Sequence, residues 1–448
     1  MNLWEKGTRP EPSVIGFTSG DDRLTDLRLA RWDIVGSMAH ACMLSECGLI
    51  TVRERDELLN ALHALFLKER EGNLIIGDGV EDIHSQVEEE LTAALGPTGK
   101  KIHTGRSRND QVLTDIRLYT RERIDRLASK VGALFAKFQE LSARYAKIII
   151  PGYTHMQPAM PSSFGLWFGA WAECLTDDLP VLSAARELNN RNPLGSAAGY
   201  GSTLPINRRL TTNLLEFNDL LYNSAYASLN RGKAELATAA ALASVAQTLG
   251  RFSTDACLFM TAEFHFIDIP DAYVTGSSIM PQKRNPDVFE LIRGRTNLIQ
   301  TLPGQVSAIV SNLPSGYNRD LQLMKQLVFG GFDSLESCIE MTILMISNIT
   351  VRKDITKDLK YGSIYSTEEV NRLVRKGMPF RDAYRKIAGQ AGVSEYSQPD
   401  LTEYTHEGSM GNLCSNAIKK LFKKRLKGFN SASPDELEEK ILKMTLTE

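Results

Sequence analysis

The sequence predicts an all-α, mainly helical protein with several unusually long helices at its centre. Three apolar series advance in steps of three or four residues, the spacing that places side chains along one buried helix face. These series are Leu127 to Tyr145, Leu242 to Phe259 and Val328 to Ile346. Two more long helices fit residues 162–190 and 287–312. Kinks are expected at Pro180 and Pro303 inside them.

The chain is expected to divide into three parts, because 448 residues exceed what one compact core usually holds. The three parts are residues 1–107, mostly helical; 108–356, the central bundle of five long helices; and 357–448, a small domain of shorter helices. Two capping boxes are expected to open helices in the first part. They are Thr51 with Glu54 and Ser85 with Glu88.

Composition is that of an ordinary water-soluble globular protein, with 42% hydrophobic and 24% charged residues. A net charge of −2 provides no broad basic field for nucleic acid or an anionic membrane. The uncharged run from Ile148 to Ala172 contains three prolines among polar residues, so no membrane helix is expected there. Six scattered cysteines without a CxxC pair argue against zinc and disulfides. The cysteine pattern and the lack of an apolar leader at the start together favour a cytoplasmic location.

The length of the helices suggests a homo-oligomer. Helices of this length greatly exceed the average of about 11–12 residues. Long apolar faces on several of them indicate a bundle that also packs against partner subunits. A long monomeric helical domain is the alternative.

Three polar stretches interrupt the helices, and the first is GRSRNDQ at 105–111. It supplies two guanidinium groups, a hydroxyl and two amides beside the free N–H groups of a helix start, which together favour anion binding. Ser, Asn and Asp are also ordinary helix caps. The stretch alone therefore leaves an anion site and a solvated cap equally open.

The second stretch, GYTHMQP at 152–158, is expected to be a polar turn between helices. Its His155 is a candidate general acid or base, because an imidazole titrates near pH 6.5. A lone histidine is more often structural. That structural interpretation is kept for the histidines without a polar cluster, namely His40, His63, His103, His265 and His406.

The third stretch is TGSSIMPQKRNP at 275–286, followed by Glu290. Gly276 provides backbone freedom, and Pro286 is expected to open the next helix at its first turn. Two hydroxyls, two cations and two amides lie between them. The composition alone fits a surface loop, but a string of this length and order is highly specific.

GSSIMPQKRNP resembles the signature loop of the fumarase/aspartase superfamily. The resemblance implies a three-domain, fumarase/aspartase-like fold with a central five-helix bundle. It also implies a homotetramer in which these bundles form a twenty-helix core, with active sites shared between subunits. No metal and no cofactor are implied. His84, close to Glu81, Asp82 and Glu88, is expected to belong to a solvated helix start.

Three segments resemble one branch of this superfamily, whose members split argininosuccinate into arginine and fumarate by β-elimination. The segments are TGRSRNDQV at 104–112, GYTHMQPA at 152–159 and LPSGYNRDLQLMK at 313–325. The resemblance extends from about residue 15 to about residue 390. A sibling branch acting on adenylosuccinate is the nearest rival, and a non-catalytic, crystallin-like homologue is a rival of another class.

The resemblance also implies the roles of individual residues. Ser277 would be the base, His155 the acid oriented by Glu290, and Lys283 a stabiliser of developing charge. From the residues alone His155 is the better base, because a serine hydroxyl needs a stabilised alkoxide. Substrate binding is assigned by resemblance to Ser107, Arg108, Asn109, Thr154, Asn285, Tyr317, Gln322 and Lys325.

Asp22 departs from the family pattern, which has a substrate-contacting serine at this point. Its carboxylate is expected either to pair with the cationic half of the substrate or to repel a succinyl carboxylate. A shift of one residue in the count would instead bring Ser19 near the site. The sequence leaves these alternatives open.

Overall fold

The computed structural model describes residues 11–20, 22–77, 80–389 and 396–446. Within these residues the chain forms α-helices joined by turns, longer loops and short 3-10 helices, with three two-stranded pairings. The helices are α1 (Pro12–Ser19), α2 (Asp22–Leu27), α3 (Ala30–Glu46), α4 (Val52–Arg70), α5 (Ile83–Leu95), α6 (Pro97–Lys100), α7 (Arg108–Arg144), α8 (Phe164–Asn189), α9 (Arg208–Leu214), α10 (Ser224–Leu229), α11 (Lys233–Phe259), α12 (Asp287–Ile299), α13 (Leu302–Val310), α14 (Leu323–Ser347), α15 (Ser366–Arg375), α16 (Phe380–Ala388), α17 (Ser415–Leu426) and α18 (Pro434–Leu446).

The long central helices confirm the predicted fold class. Helix α7 has 37 residues, α8 has 26, α11 has 27 and α14 has 25. Each of the three apolar series follows one helix, with Tyr145 at the C-cap of α7, and its members pack inward with few exceptions. Phe138 and Phe252, from two different series, meet edge to face at 4.9 Å between ring centroids. The apolar series of α7 and α11 therefore meet in one core.

The segment 287–312 forms two helices where one was predicted. Helix α12 ends at Ile299, and α13 begins at Leu302 with Pro303 in its first turn. Proline cannot donate a backbone hydrogen bond and fits best in the first turn of a helix, which agrees with the interruption just before Pro303. The sequence predicts Pro286 in the first turn of the next helix, whereas the structure has it one residue earlier, immediately before α12. Helix α8 continues through Pro180.

One of the two predicted capping boxes is present. Thr51 caps α4 and exchanges hydrogen bonds with Glu54. The prediction for Ser85 and Glu88 is wrong, because α5 begins earlier. Asp82 is its cap and accepts a hydrogen bond from the Ser85 N–H at 2.7 Å.

The second polar stretch forms a β-hairpin rather than a turn between helices. Strands β1 (Ile149–Thr154) and β2 (Gln157–Ser163) pair in antiparallel register. His155 and Met156 form the two-residue turn, with φ of 52° and 62°. Positive φ at both positions is typical of tight hairpin turns. Pro151, Pro158 and Pro161 exclude a helix here, which explains the hairpin.

The short remaining strands are β3 (Arg191–Asn192) with β4 (Asp219–Leu220), and β5 (Ile267–Asp268) with β6 (Thr350–Val351). Around the bundle, α3 packs against α7 and α4, while α17 and α18 pack against α8 and α3 respectively. In the described ranges, no helix is long and apolar enough to cross a membrane. The boundaries at 107/108 and 356/357 remain a prediction.

Candidate active site

A large cavity opens where α2, α5 and the start of α7 meet the segment that leads into α14. Its volume is about 1190 Å³. Six of the predicted substrate-binding residues line it: Ser107, Arg108, Asn109, Tyr317, Gln322 and Lys325. Two of the three sequence segments that carry the resemblance therefore meet in one cavity.

The start of α7 forms one wall of the cavity. Ser107 caps the helix, and its Oγ accepts a hydrogen bond from the Asn109 N–H at 3.3 Å. Asp110 completes the capping box by accepting from the Ser107 N–H at 2.9 Å. Ser107 is therefore a helix cap that also faces the cavity, and anion binding by this stretch stays a prediction. Free N–H groups at a helix start attract anions.

The two arginines beside this start are anchored rather than free in solvent. Arg106 donates from Nη1 to Ser37 Oγ at 2.9 Å. Burial lowers the pKa of its guanidinium, although nearby aspartates oppose the shift. Arg108 donates to Ser85 Oγ at 3.1 Å and lies 3.3 Å from Asp82 Oδ2. These contacts fix both side chains relative to α5 and α3.

His84 does not belong to a solvated helix start, so that prediction is corrected. It is 2% exposed, and its Nδ1 lies 2.9 Å from Asp33 Oδ1 and 3.4 Å from Asp115 Oδ2. Burial and the neighbouring Asp33 charge raise the pKa of Asp115 well above its usual value. The pKa of Asp33 is lowered, because His84, Arg106 and a hydrogen bond from Gln111 outweigh its burial.

One nitrogen and two oxygens of this buried group lie within 4.8 Å of one another, a spacing compatible with a cation. Hydrogen bonds account for the same geometry. Gln111 Nε2 donates to Asp33 at 2.6 Å, and the positive charge of Arg106 acts on both aspartates. The group lies behind the first turn of α7 and supports it. The expectation of a metal-free site remains a prediction.

Lys325 also lines the cavity and is 6% exposed. Its Nζ lies 3.0 Å from Asp22 Oδ2 and also contacts Asp26. Asp22 therefore faces the cavity rather than solvent. Nearby, Gln322 donates to the Thr18 carbonyl at 3.0 Å, and Arg319 pairs with Glu81 at 2.9 Å.

The remaining predicted residues do not line this cavity and lie on the β1–β2 hairpin, on the 275–286 loop and, for Glu290, on α12. Thr154 and His155 are exposed at the tip of the β1–β2 hairpin. In the 275–286 loop, Ser277 Oγ accepts hydrogen bonds from the N–H groups of Ile279 at 3.3 Å and Met280 at 3.2 Å. Asn285 donates from Nδ2 to the Gly276 carbonyl at 3.3 Å, closing the loop.

A single chain does not bring the predicted catalytic residues together with the cavity. The residues absent from its lining are Thr154, His155, Ser277, Lys283, Asn285 and Glu290. Lys283 and Glu290 are exposed, and no ion pair joins His155 to Glu290 in the part of the chain that the structure describes. In the described part of the chain, the hairpin and the 275–286 loop thus lie outside the lining of this cavity.

Several cavity residues were not identified from the sequence. Asp26 and His84 line the cavity, and so does His103, which was interpreted as structural. The four-residue spacing of Asp22 and Asp26 on one helix is a signal that could have identified Asp26. His84 and His103 carry no comparable signal, because their partners are distant in sequence.

Comparisons with known proteins agree with this architecture. A family model described as "Lyase" matches residues 10–300. Argininosuccinate lyase from Bacteroides thetaiotaomicron is 50% identical over 99% of both chains. The Xylella fastidiosa Temecula1 enzyme of the same name is 38% identical over 93% of this chain and 94% of its own. The Thermotoga neapolitana enzyme is 37% identical over 87% and 98%.

Solved structures show the same fold at low sequence identity. EDDS lyase in complex with formate has a TM-score of 0.75 at 20% identity, covering 98% of this chain and 95% of that one. Class II fumarase from Schistosoma mansoni has a TM-score of 0.67 at 16% identity, covering 84% and 91%. The helical fold and its cavity define a lyase of the fumarase/aspartase superfamily. Within it, the chain belongs to the argininosuccinate lyase family.

Proposed function

We propose that the protein is a carbon–nitrogen lyase that reversibly splits argininosuccinate into L-arginine and fumarate, a step of arginine biosynthesis. The observation that carries the proposal is the 50% identity to an argininosuccinate lyase over 99% of both chains. The relatives described above carry the name argininosuccinate lyase, not the sibling activity on adenylosuccinate.

The charges around the cavity suit this substrate. Argininosuccinate carries two succinyl carboxylates at one end and a zwitterionic amino acid at the other. The start of α7, with Ser107, Asn109 and Arg108, offers hydrogen-bond donors and positive charge to the carboxylates. Lys325 and its aspartate partners line the same cavity and offer both signs of charge to the amino-acid end. The substrate would therefore lie across the cavity.

Ser277 is the proposed base. It takes the proton from the succinyl carbon that neighbours the carbon bearing the leaving nitrogen. The electron pair left on that carbon forms the double bond of fumarate as the carbon–nitrogen bond breaks. The N–H groups of Ile279 and Met280 already donate to Ser277 Oγ, and donors of this kind favour the anionic form of an oxygen.

Lys283 and Asn285 on the same loop are proposed to stabilise the carboxylate oxygens on which charge develops. Preorganised donors aimed at such oxygens are usually the largest catalytic contribution. His155 is proposed to donate a proton to the departing guanidine nitrogen, with Glu290 orienting its imidazole. Its exposed position at the hairpin tip suits a residue that enters a neighbouring subunit's cavity.

A homotetramer with shared active sites is part of the proposal. The cavity and the two catalytic segments lie apart on one chain, so a complete site needs segments from other copies. Helix α12 also exposes Leu291 and Leu298, at 63% and 70%. They are seven residues apart and lie on one helix face, as in a helix–helix contact. Exposed apolar residues along one helix face suggest a surface that a partner subunit covers.

A cytoplasmic location belongs to the same proposal, because all six cysteines are free thiols.

The direct test of the proposed activity is to incubate the purified protein with argininosuccinate and follow the absorbance of fumarate. Adenylosuccinate serves as the matched alternative substrate. Release from argininosuccinate alone is expected. Release only from adenylosuccinate would transfer the protein to the sibling activity, and no release from either would favour a crystallin-like role.

A further inference from the structure

A buried lysine with two carboxylate partners forms one wall of the cavity. Lys325 Nζ lies 3.0 Å from Asp22 Oδ2 and makes a closer contact with Asp26 Oδ1. Asp22 and Asp26 are one turn apart on α2, so both side chains reach the same side of that helix. Three charged groups on two helices therefore form a compact cluster.

This cluster has one more negative charge than it has positive charges when both carboxyl groups are ionised. Arg319 is the other cation that acts on Asp22, and it is already paired with Glu81 at 2.9 Å. A buried, unbalanced carboxylate is costly unless a positive group joins it. The cluster is therefore suited to receive a cation from a ligand.

The two carboxylates are not equivalent. The side chain of Asp26 is 3% exposed and is committed to Lys325. The side chain of Asp22 is 13% exposed and lines the cavity. Asp22 is thus the partner that a ligand can reach.

We propose that Asp22 is a specificity-determining residue that binds the α-ammonium group of the arginine half, beside Lys325, which receives the α-carboxylate. This inference rests on the proposed lyase function. An α-amino acid carries a cation and an anion on one carbon. Lys325 and Asp22 present the opposite charges side by side at 3.0 Å. A succinyl group, which has two anions and no cation, is repelled by Asp22 and directed to the α7 wall.

The same geometry makes arginine binding depend on pH. Burial raises the pKa of Asp22 to about 6, and the neighbouring Asp26 adds to the shift while Lys325 and Arg319 oppose it. From α5, Asp82 lines the same cavity, and despite its burial His84 and Arg108 lower its pKa. Only the ionised form of Asp22 attracts an ammonium group. Arginine should therefore bind more weakly as the pH falls through about 6.

The test compares the full-length wild-type protein with Asp22→Asn, using calorimetry to measure L-arginine binding between about pH 5.5 and 8. Asp177→Asn is the matched control, because it removes one carboxylate that is 76% exposed and paired with Arg425 on another face. Asp22→Asn should weaken arginine binding at pH 8 by about tenfold or more. It should also flatten the pH dependence, while Asp177→Asn should match the wild type.

Two ligands separate the ammonium from the rest of arginine. Nα-acetyl-L-arginine lacks the α-ammonium charge, and the wild type should bind it about tenfold or more weakly than arginine. Asp22→Asn should bind the two ligands nearly alike. Equal binding of both by the wild type would overturn the inference even if Asp22→Asn failed to fold. Unchanged arginine binding in a folded Asp22→Asn protein would do the same.

Failure of this inference is distinguishable from failure of the proposed function. Fumarate release from argininosuccinate by the wild type tests the function alone. A wild type that releases fumarate, together with an Asp22→Asn variant of unchanged arginine affinity, would retain the function and remove Asp22 from the site.

Discussion

Asp110 and Gly195, which are 85 positions apart in the chain, meet at the start of α7, where the Gly195 N–H donates to Asp110 Oδ2 at 2.9 Å. The Ala197 N–H donates to the same oxygen, also at 2.9 Å. Gly195 has a φ of +86°, and an added Cβ would lie 2.7 Å from Arg208 Cγ. The glycine is therefore required by both backbone conformation and close packing. Asp110 joins the turn at 195–197 to the proposed succinyl-binding wall.

Asp110→Ala should lower the free energy of unfolding by roughly 3 kcal/mol, because it leaves the N–H groups of Ser107, Gly195 and Ala197 without their acceptor. It should also raise KM through the loosened start of α7. Urea unfolding and steady-state kinetics provide the measurements. Glu140→Ala, on the exposed far end of the same helix, is the control and should change stability by less than about 1 kcal/mol. Equal effects of the two changes would contradict the capping role.

Ser277→Ala should lower kcat by about 10²–10⁴-fold, because it removes the proposed proton acceptor. Substrate binding and assembly should be retained. Ser278→Ala is the matched control, since it deletes the adjacent, exposed hydroxyl. Near-normal turnover in Ser277→Ala would return the role of the base to His155.

Leu298→Arg should dissociate the tetramer at micromolar concentration and abolish activity at the same time. The reason is that a charge would replace a side chain that is 70% exposed on the single chain and is proposed to be covered in the assembly. Sedimentation velocity measures the outcome. Leu359→Arg, at a site that is 95% exposed and lies outside α12, should leave the assembly intact. A wild type that sediments as a monomer would refute the proposed assembly.

Two inactive variants should complement each other if active sites are shared. Ser277→Ala lacks the base and Lys325→Ala lacks part of the cavity, so each should be inactive alone. After mild dissociation and reassembly together, about one quarter of the sites should combine an intact Ser277 with an intact Lys325. The recovered rate of fumarate release gives this fraction. No recovery in verified mixed tetramers would mean that each site is built from one chain.

His103 should make the protein less stable in acid. Burial, with the charges of Arg106 and Arg108, lowers the pKa of His103 to about 4. An unfolded chain protonates its histidines near pH 6.5. Between about pH 6.5 and 4 the unfolded state therefore binds more protons, and stability falls as the pH falls through this window.

The urea midpoint of the wild type should accordingly fall more between about pH 7 and 4.5 than that of His103→Gln. His406→Gln replaces an exposed histidine and should behave like the wild type. Parallel losses in all three proteins would exclude His103 as the cause.

The sequence determined the helical class and the long central helices. The reason is that a buried helix face requires apolar residues at steps of three or four along the chain. It also predicted the start of α7, where Ser107 and Asp110 form a local capping box. The sequence determined the ends of the helices less well. Proline chemistry indicated an interruption near Pro303, but the sequence did not show that α12 and α13 separate there.

Tertiary structure decided which distant charges meet. His84 pairs with Asp33 and Asp115 inside the protein, although its sequence neighbours suggested a solvated helix start. Asp22 meets Lys325 only because α2 lies against α14. Sequence spacing fixes which residues share one helix face, whereas the packing between helices fixes which faces meet. For this reason the sequence alone could name residues from both segments, and only the folded chain could place them in one cavity.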